Sequence, residues 1–368
     1  MRTRQRRLNL ALQGGGAHGA FTWGVLDALL DDDDISLGWV SATSAGAVNA
    51  AALADGLASG RQDAKDKLQQ VWAAVESAGV PDLLRLNPFM DSMARVAHQM
   101  SKVFSPYDFN PLGFDPLRRL LETNIDFVRI RDASPVELLI AATDVATGRP
   151  RLFRRSEMTV EAVLASACLP TLHHAVEIDG RSYWDGGFSA NPDLLTLAQE
   201  SPVEDTLIVQ LNPLEHTGVP RSAREIADRV NIITFNQPLL RDVEAIIAAK
   251  SAPSSWLPGR GGRLARLKRH RFHLIEAGRH TSGLSGTSKI KPERGLLAQL
   301  HRAGLMEARK WLSRNRADIG RASTVDVAAY YGQFAGDPSP SRLVYDSAEA
   351  TSAGGDSGGG GGGGGDSS

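Results

Sequence analysis

The stretch LNLALQGGGAHG, residues 8–19, decides the fold class of this chain. Its apolar run Leu8–Leu12 has the length and composition of a buried strand, and three consecutive glycines lead from it directly into a helical pattern. Three glycines let the backbone turn with its N–H groups pointing outward, free of obstruction by a Cβ atom. At a helix N-terminus such groups form an anion site. The stretch therefore predicts a strand, an anion-binding loop and a helix.

The rest of the chain continues this alternation of short apolar runs and helical patterns, which predicts an α/β fold with a largely parallel sheet. The predicted strands are Leu8–Leu12, Gly38–Ala42, Val136–Asp144, Thr206–Leu211 and Arg271–Glu276. The predicted helices are Ala17–Leu30, Gly46–Leu57, Ala64–Ala78, Val160–Ala167 and Ala223–Ala249. An apolar stripe at helical spacing over Pro88–Phe104 predicts either a helix packed on the core or a lid that adapts to acyl chains.

The C-terminal end of the chain has a composition that cannot form a core. Residues Tyr345–Ser368 are Ser, Ala, Asp and an almost unbroken glycine run, which cannot offset the entropy lost on ordering. Gly, Asp, Ser and Pro in Gln333–Arg342 mark a linker. We therefore expect one folded domain over residues 1–331, with its core at about 8–312, followed by a linker and disordered tail over 332–368.

Composition excludes several classes of protein. The formal net charge is −1, so the overall charge does not attract nucleic acid or anionic membranes. Cys168 is the only cysteine, which excludes an intramolecular disulfide and fits a reducing compartment. There is no signal-peptide core and no apolar run near the ~18 residues that span a bilayer. We expect a cytoplasmic protein that binds no nucleic acid. Peripheral membrane contact stays open, for example through the basic stretch Arg260–His273.

A second motif, ATSAG at residues 42–46, lies one βα unit after the glycines. A strand turns sharply at Ser44 into an Ala-rich helix. This is the pattern of a nucleophile elbow, which places a serine hydroxyl above the sheet with a helix N-terminus beneath it. Elbows usually have glycine two residues before the serine, and here that position is Ala42. Alone the motif is weak, but it gains weight behind a glycine-rich anion site.

The third motif is YWDGG at residues 183–187, after an apparent hairpin turn at Ile178–Gly180. An acid followed by two glycines can be held in an unusual backbone conformation, although alone it most often marks a turn. The aromatic residues around Asp185 would bury its carboxyl. Burial would raise its pKa above the usual value of about 3.9.

In this order the three motifs resemble the patatin-like phospholipase family, over about Leu8 to Leu312. The resemblance implies a three-layer α/β/α fold with the nucleophile elbow after an early strand. It implies that Ser44 is the nucleophile and Asp185 the general base. The backbone N–H groups expected to form the oxyanion hole are those of Gly14, Gly15 and Gly16. The residues expected to support the site are Gly19, Ala45, Gly46, Gly186 and Gly187.

The function that this resemblance implies is serine-dependent hydrolysis of acyl esters of lipids, of the phospholipase A or lipid esterase type. The substrate would be a lipid or another acyl ester, and neither a metal nor a cofactor would be needed. Because the dyad contains no histidine, we expect activity to extend to mildly acidic pH. His18 stands where the family usually has Arg or Lys, so a fixed positive charge would be absent there at neutral pH.

Three alternatives stay open at this point. A Ser-His-Asp triad would add one of the histidines His216, His273 and His301. A nucleotide cradle would use the G-x-G-x-x-G pattern of the glycine loop with an acid from Asp31–Asp34, although these aspartates follow a helix instead of ending a second strand. A catalytically weak lipid-binding or scaffolding protein would use the same fold without the chemistry.

Overall fold

The computed structural model of the chain describes residues 5–78, 105–110, 115–216, 218–253, 262–281 and 294–332. The amphipathic segment Pro88–Phe104 and the glycine-rich tail lie outside the described residues. The predicted lid, the predicted tail and the domain boundary near residue 331 therefore stay predictions.

An eight-stranded sheet forms the centre of the fold. Its strands are β1 (Arg6–Leu12), β2 (Ile35–Ala42), β3 (Glu137–Asp144), β4 (Pro150–Arg154), β5 (Val176–Ile178), β6 (Arg181–Asp185), β7 (Asp205–Gln210) and β8 (Arg271–Glu276). Their order is β5-β6-β3-β2-β1-β7-β8, and β4 pairs with β3 beside this path. The five neighbouring strands β3, β2, β1, β7 and β8 are parallel to one another. The pairs β3–β4, β3–β6 and β5–β6 are antiparallel. The sheet is thus largely parallel, as predicted.

The helices connect these strands and extend the chain after β8. They are α1 (Gly19–Leu30), α2 (Ala45–Leu57), α3 (Arg61–Ala78), α4 (Pro106–Phe109), α5 (Pro116–Asn124), α6 (Phe127–Ala133), α7 (Val160–Ser166), α8 (Leu194–Glu200), α9 (Ala223–Ser251), α10 (Arg263–Arg269), α11 (Gly278–Thr281), α12 (Arg294–Asn315) and α13 (Val327–Gly332). Short 3-10 turns at Gly16–His18 and Gly186–Phe188 follow β1 and β6.

Helices cover both faces of the sheet, which makes the fold a three-layer α/β/α sandwich. On one face α1, α2, α3 and α12 pack on strand residues such as Leu10 and Ile140. On the other face α8, α9, α10 and α13 pack on residues such as Ala11 and Leu139. Neighbouring residues of one strand point to opposite faces, so each central strand supplies both cores and reads as an apolar run.

The five strands and five helices whose bounds were predicted within the described residues all occur, with ends shifted by at most three residues. The helix predicted from Ala17 begins at Gly19, because Gly16–His18 forms a 3-10 turn. The hairpin turn predicted at Ile178–Gly180 joins β5 and β6. Strand β4 was not predicted, because it is short and largely exposed at the edge and shows no strong apolar pattern.

Candidate active site

Ser44 lies in the turn between β2 and α2 and has a backbone conformation that side chains rarely adopt. Its φ is 55° and its ψ is −123°. Among the described residues, one other non-glycine residue has a positive φ, Asp179 in the exposed β5–β6 turn. Such a conformation costs on the order of 1–3 kcal/mol and persists where the surroundings impose it. The Ser44 carbonyl accepts the N–H groups of Ala47 at 2.8 Å and Val48 at 3.1 Å. This is the geometry of a nucleophile elbow.

Small residues let the elbow pack tightly on the sheet and on α1. A Cβ on Gly46 would lie 2.4 Å from the Leu12 carbonyl oxygen, so only glycine fits there. A Cβ on Gly19 would lie 2.8 Å from the Cβ of Ala45. Ala42, where elbows usually have glycine, is fully buried and belongs to the apolar core. The fold therefore accommodates the alanine.

The register of the sheet brings the glycine loop beside the elbow. Leu12 of β1 pairs with Ala42 of β2, so Gly14 and Ser44, each two residues further along, leave the sheet at the same level. A Cβ on Gly14 would lie 2.8 Å from the Ser44 Cβ and 3.0 Å from the Thr43 carbonyl oxygen. Glycine is thus required where the two loops touch.

The N–H groups of the glycine loop are not equivalent. The Gly14 N–H donates to Asn191 Oδ1 at 2.8 Å and is buried. Gly15 is half-buried and Gly16 is exposed with φ 56°, and in the described part of the chain the N–H group of neither one donates to another residue. Two of the three expected oxyanion donors are therefore unoccupied, and Asn191 already holds the third.

The register of β3 brings the acid to the same level of the sheet. Ala42 of β2 pairs with Ile140 of β3, so Ala142 lies level with Ser44. Strand β6 runs antiparallel to β3 and pairs Asp185 with Ala142. The acid and the serine therefore meet across the end of β3, although 141 positions separate them in the sequence.

The Asp185 carboxyl is buried, and one of its oxygens is unpaired. Oδ1 accepts the Gly187 N–H at 2.7 Å, whereas Oδ2 makes no hydrogen bond with any described residue. Burial raises the pKa of Asp185 to about 7, and the Gly187 N–H and the nearby Ser44 hydroxyl lower it only in part. The hydroxyl is close enough to influence the carboxyl without forming a good hydrogen bond to it. Catalytic contacts are often loose in this way before substrate binds.

Two glycines turn the chain away immediately after Asp185. A Cβ on Gly186 would lie 2.1 Å from the Ala141 carbonyl oxygen, and one on Gly187 would lie 2.1 Å from the ring of Phe235 on α9. Neither position has room for a side chain. The D-G-G motif is therefore a packing requirement and not only a turn.

Asn191 is a site residue that the sequence did not single out. Its Oδ1 accepts the Gly14 N–H at 2.8 Å, and its Nδ2 donates to the Phe235 carbonyl oxygen at 2.9 Å. The side chain is fully buried, so both bonds are shielded from water. It joins the glycine loop to α9. The sequence offered only an asparagine six residues after the acid as a sign of this role, because its hydrogen-bond partners lie far away in the sequence.

Two further hydroxyl groups fix the elbow. Thr43 Oγ1 donates to the Ala190 carbonyl oxygen at 2.7 Å, which links the elbow to the segment after the D-G-G motif. The Ser44 N–H donates to Ser166 Oγ at 2.9 Å, at the end of α7. Both ties run between distant parts of the chain, and together they hold the serine in its strained conformation.

Two of the three histidines of the triad alternative bind other acids. His273 Nε2 lies 3.2 Å from Asp205 Oδ1, near the sheet edge opposite the elbow. His301 Nε2 lies 2.8 Å from Asp27 Oδ2, between α12 and α1. His216 lies in the segment after β7. In the described part of the chain, the carboxyl of the D-G-G motif has no hydrogen bond with a histidine.

The acids of the nucleotide alternative lie at the wrong end of α1. Asp31–Asp34 follow the C-terminus of this helix, and twelve helical residues place them about 18 Å from the glycine loop. They form salt bridges with Lys65 at 2.5 Å, Arg309 at 3.1 Å and Arg316 at 3.0 Å. They therefore form a charged surface cluster and are not a ribose-binding acid.

The described part of the basic stretch is tied to the protein itself. Arg263 and Arg269 form ion pairs with Glu200 at 3.6 Å and Glu204 at 3.0 Å, and Arg266 donates to the Glu200 carbonyl oxygen at 3.0 Å. These contacts favour a structural role over a phospholipid-facing patch. Within the described ranges, no group of three or more His, Cys, Asp and Glu side chains is arranged to hold a metal ion.

Residues 10–198 match the model of the patatin-like phospholipase family. The chain belongs to the patatin-like phospholipase family. The matched range contains the glycine loop, the elbow serine and the D-G-G acid, and it ends within α8. Family membership identifies this patatin-like protein as a lipid acyl hydrolase in general terms. None of its described helices is long and apolar enough to cross a membrane.

No curated protein matches this patatin-like chain in sequence. Among solved structures it is similar to VipD from Legionella pneumophila, with 15% identity, coverage of 85% of this chain and 67% of VipD, and a TM-score of 0.39. It is also similar to ExoU in the ExoU-SpcU complex of Pseudomonas aeruginosa, with 16% identity, coverage of 91% and 68%, and a TM-score of 0.25. The mechanism proposed for this patatin-like protein rests on its own residues.

Proposed function

We propose that this protein is a serine acyl hydrolase that cleaves acyl esters of lipids with a dyad of Ser44 and Asp185. One observation carries the proposal: a strained elbow serine lies beside a buried carboxyl that has an unpaired oxygen and a pKa of about 7. A serine hydroxyl is a poor nucleophile at neutral pH and needs a neighbouring base to take its proton. Asp185 has the position and the pKa for that base.

In the acylation step, Ser44 Oγ attacks the ester carbonyl carbon while Asp185 Oδ2 takes the hydroxyl proton. The carbonyl oxygen becomes an oxyanion in the tetrahedral intermediate. When this intermediate collapses, the bond to the alcohol oxygen breaks, and the leaving alcohol takes the proton back from Asp185. The products are the free alcohol and an acyl group esterified to the serine.

In the deacylation step, water replaces the alcohol at the same position. Asp185 takes a proton from the water as its oxygen attacks the acyl carbon, and a second oxyanion forms. Its collapse breaks the bond to Ser44 Oγ, which regains the proton from Asp185. The fatty acid leaves, and both residues return to their starting protonation states.

The N–H groups of Gly15 and Gly16 are the proposed donors to both oxyanions. They donate to no other described residue, and a backbone donor of this kind contributes roughly 3–4 kcal/mol to the transition state in serine hydrolases. The N-terminus of α2 lies directly behind Ser44 and adds a favourable dipole. The Gly14 N–H would instead hold the loop in place through Asn191.

The raised pKa of Asp185 gives the reaction a definite pH dependence. The ionised carboxylate is the base, and with a pKa of about 7 it is half formed at neutral pH. We expect kcat/KM to fall about tenfold for each pH unit below 7 and to level off above it. This limit lies closer to neutrality than the mildly acidic range expected from the sequence. A pH-rate profile with a short-chain p-nitrophenyl ester measures it.

A serine-directed fluorophosphonate probe and p-nitrophenyl butyrate test the dyad. Ser44→Ala should abolish labelling, and both Ser44→Ala and Asp185→Asn should lower kcat by on the order of a thousandfold or more. Ser59→Ala is the matched serine control. Asp179→Asn is the matched acid control, because Asp179 is exposed in the β5–β6 turn and lies outside the proposed site. The proposal would be overturned if Ser44→Ala still reacts with the probe and still hydrolyses the ester. It would also be overturned if the wild-type protein binds lipid but neither reacts with the probe nor hydrolyses the ester.

We also propose that residues 1–331 form the catalytic domain and that the protein meets its lipid substrate by peripheral contact with a membrane or another lipid aggregate. The described part of the domain ends with α13, which packs on α9 through Val327 and Tyr331. Truncation after Gly332 should retain esterase activity and thermal stability. Loss of soluble protein on truncation would contradict the boundary.

A further inference from the structure

A pocket of about 550 Å³ lies between α9 and the segment 211–216 that follows β7. This volume falls within the range of about 300–1,000 Å³ that is typical of small-molecule sites. Five of the nine lining residues are polar: Glu215, His216, Arg229, Asn236 and Gln237. Its apolar wall is formed by Leu214, Ile232, Ile233 and Leu240. The chemistry proposed at Ser44 assigns no role to this pocket.

Both walls of the pocket are hydrogen-bonded to the residue that precedes the glycine loop. Gln13 Oε1 accepts the N–H groups of Leu211 and Asn212, each at 2.8 Å, at the start of the 211–216 segment. Gln13 Nε2 donates to Oδ1 of Asn236 in the α9 wall at 3.2 Å. The Leu211 side chain also packs against Gly15, where an added Cβ would lie 2.9 Å from it. Gln13 and Leu211 therefore connect the walls of the pocket to the loop that carries the proposed oxyanion donors.

The α9 wall also borders the acid. The ring of Phe235, next to Asn236 in the helix, covers Gly187 and packs on Phe188 with ring centroids 4.9 Å apart. The Gly187 N–H is the hydrogen-bond donor to Asp185. The helix that forms this wall of the pocket thus also packs on the residue whose N–H binds the Asp185 carboxyl.

An exposed apolar stripe leads from solvent to the pocket. The described chain has seven exposed large apolar side chains, and four of them lie on the first half of α9 or just before it: Val219, Ile226, Val230 and Ile233. The three on the helix are spaced i, i+4 and i+7, which places them on one face. Ile233 also lines the pocket. Exposed apolar surface concentrated in one patch is typical of a binding site.

We propose that this pocket holds the hydrocarbon chain of the acyl group, with the stripe on α9 as its outer approach, so that the pocket determines acyl-chain preference. This inference deepens the proposed function and rests on it. The carbonyl carbon carries two substituents, the acyl chain and the alcohol. The alcohol of a phospholipid is polar, so the apolar wall of this pocket suits the acyl chain.

Pocket-filling variants test the assignment. Ile232→Trp on α9 and Leu214→Trp on the opposite wall are each assayed with p-nitrophenyl acetate, butyrate, octanoate and decanoate. Each methylene group removed from water contributes about fourfold to binding. If the tryptophan keeps only two methylene groups out of the pocket, the ratio of kcat/KM for decanoate to that for acetate should fall by at least about tenfold. Met306→Trp, on the exposed side of α12, is the matched control and should leave the ratio unchanged.

The proposal would be overturned if both variants fold and keep the wild-type ratio of kcat/KM for decanoate to that for acetate. It would also be overturned if both variants lose the same fraction of kcat/KM on every ester. The use of two walls guards against one substitution that fails to fold, and circular dichroism verifies each variant. Binding of decanoate to Ser44→Ala, measured by calorimetry, gives a readout without catalysis. Adding Ile232→Trp should weaken that binding at least about tenfold. If binding behaves as expected while Ser44→Ala retains activity, only the proposed dyad fails.

Discussion

Replacing Asp185 with asparagine removes a buried charge while preserving the size and shape of the side chain. Burial raises the pKa of this carboxyl from 3.8 to about 7, a difference of about three units. At about 1.4 kcal/mol per unit, ionisation in the folded state costs up to about 4 kcal/mol. The folded protein keeps this proton at pH 5 to 6, where the unfolded chain has lost it. The stabilising contribution of the proton is therefore complete below pH 4 and is lost as pH rises through 7.

The asparagine is neutral at every pH, and its oxygen can still accept the Gly187 N–H. We expect the stability advantage of Asp185→Asn over the wild type to grow by about 2–3 kcal/mol between pH 5 and pH 8. Urea unfolding of both proteins at pH 5, 6.5 and 8, followed by circular dichroism, measures this difference. Other titrating groups occur in both proteins and cancel in the comparison.

The outcome separates burial from catalysis because the same variant should be nearly inactive. Asp179→Asn removes an exposed acid from the β5–β6 turn and should show neither effect. A variant that is less stable than the wild type at pH 8 would refute the reasoning, as would an advantage that stays constant from pH 5 to pH 8. Either result would mean that the carboxyl of Asp185 is solvated in the folded protein.

Three further substitutions test the surroundings of the site. Asn191→Ala leaves the buried Gly14 N–H without its acceptor, so urea unfolding should show a loss of roughly 1–3 kcal/mol, and kcat should fall because the glycine loop loses its anchor. Burial and the nearby Asp193 raise the pKa of Asp242 to about 6. Asp242→Asn should therefore raise Tm at pH 8, where the wild-type carboxyl is charged, and should raise it much less at pH 4. An equal rise in Tm at both pH values would contradict this. Gly186→Ala should cost 3 kcal/mol or more or prevent soluble expression, since its Cβ would lie 2.1 Å from a carbonyl oxygen, whereas Gly278→Ala, with open space around it, should change Tm little.

The strands, the elbow and the glycine loop could be predicted because their physics is local. Strand β8 has the predicted bounds, and the Ser44 turn follows from a strand, a small-residue loop and an Ala-rich helix in direct succession. The requirement for Gly46 is not local, since its Cβ would meet the carbonyl oxygen of Leu12 in β1, and only the S-x-G pattern indicated it in the sequence. The order of the three motifs then indicates the family, because each motif alone is common.

The polar ties of the site could not be predicted, because each joins residues that are far apart in the sequence. Asn191 holds Gly14 from 177 positions away, and Ser166 holds the Ser44 N–H from 122 positions away. The sequence predicted the N–H groups of all three glycines as oxyanion donors, but it could not show that Asn191 accepts the one of Gly14. Periodicity predicts which face of an element is buried, but it does not identify the partner of a buried amide.

Helix α9 is the element through which these distant ties act on the chemistry. The carbonyl of Phe235 holds Asn191, which holds the glycine loop, and the ring of Phe235 covers Gly187, which binds the acid. One turn of one helix is thus linked to the proposed oxyanion loop through Asn191 and to the proposed base through Gly187. A shift of this turn would change the separation between the Gly15 N–H and Asp185, so an acyl chain that packs against α9 would act on both at once. This coupling is the physical reason why acyl-chain length should affect kcat as well as KM in this protein.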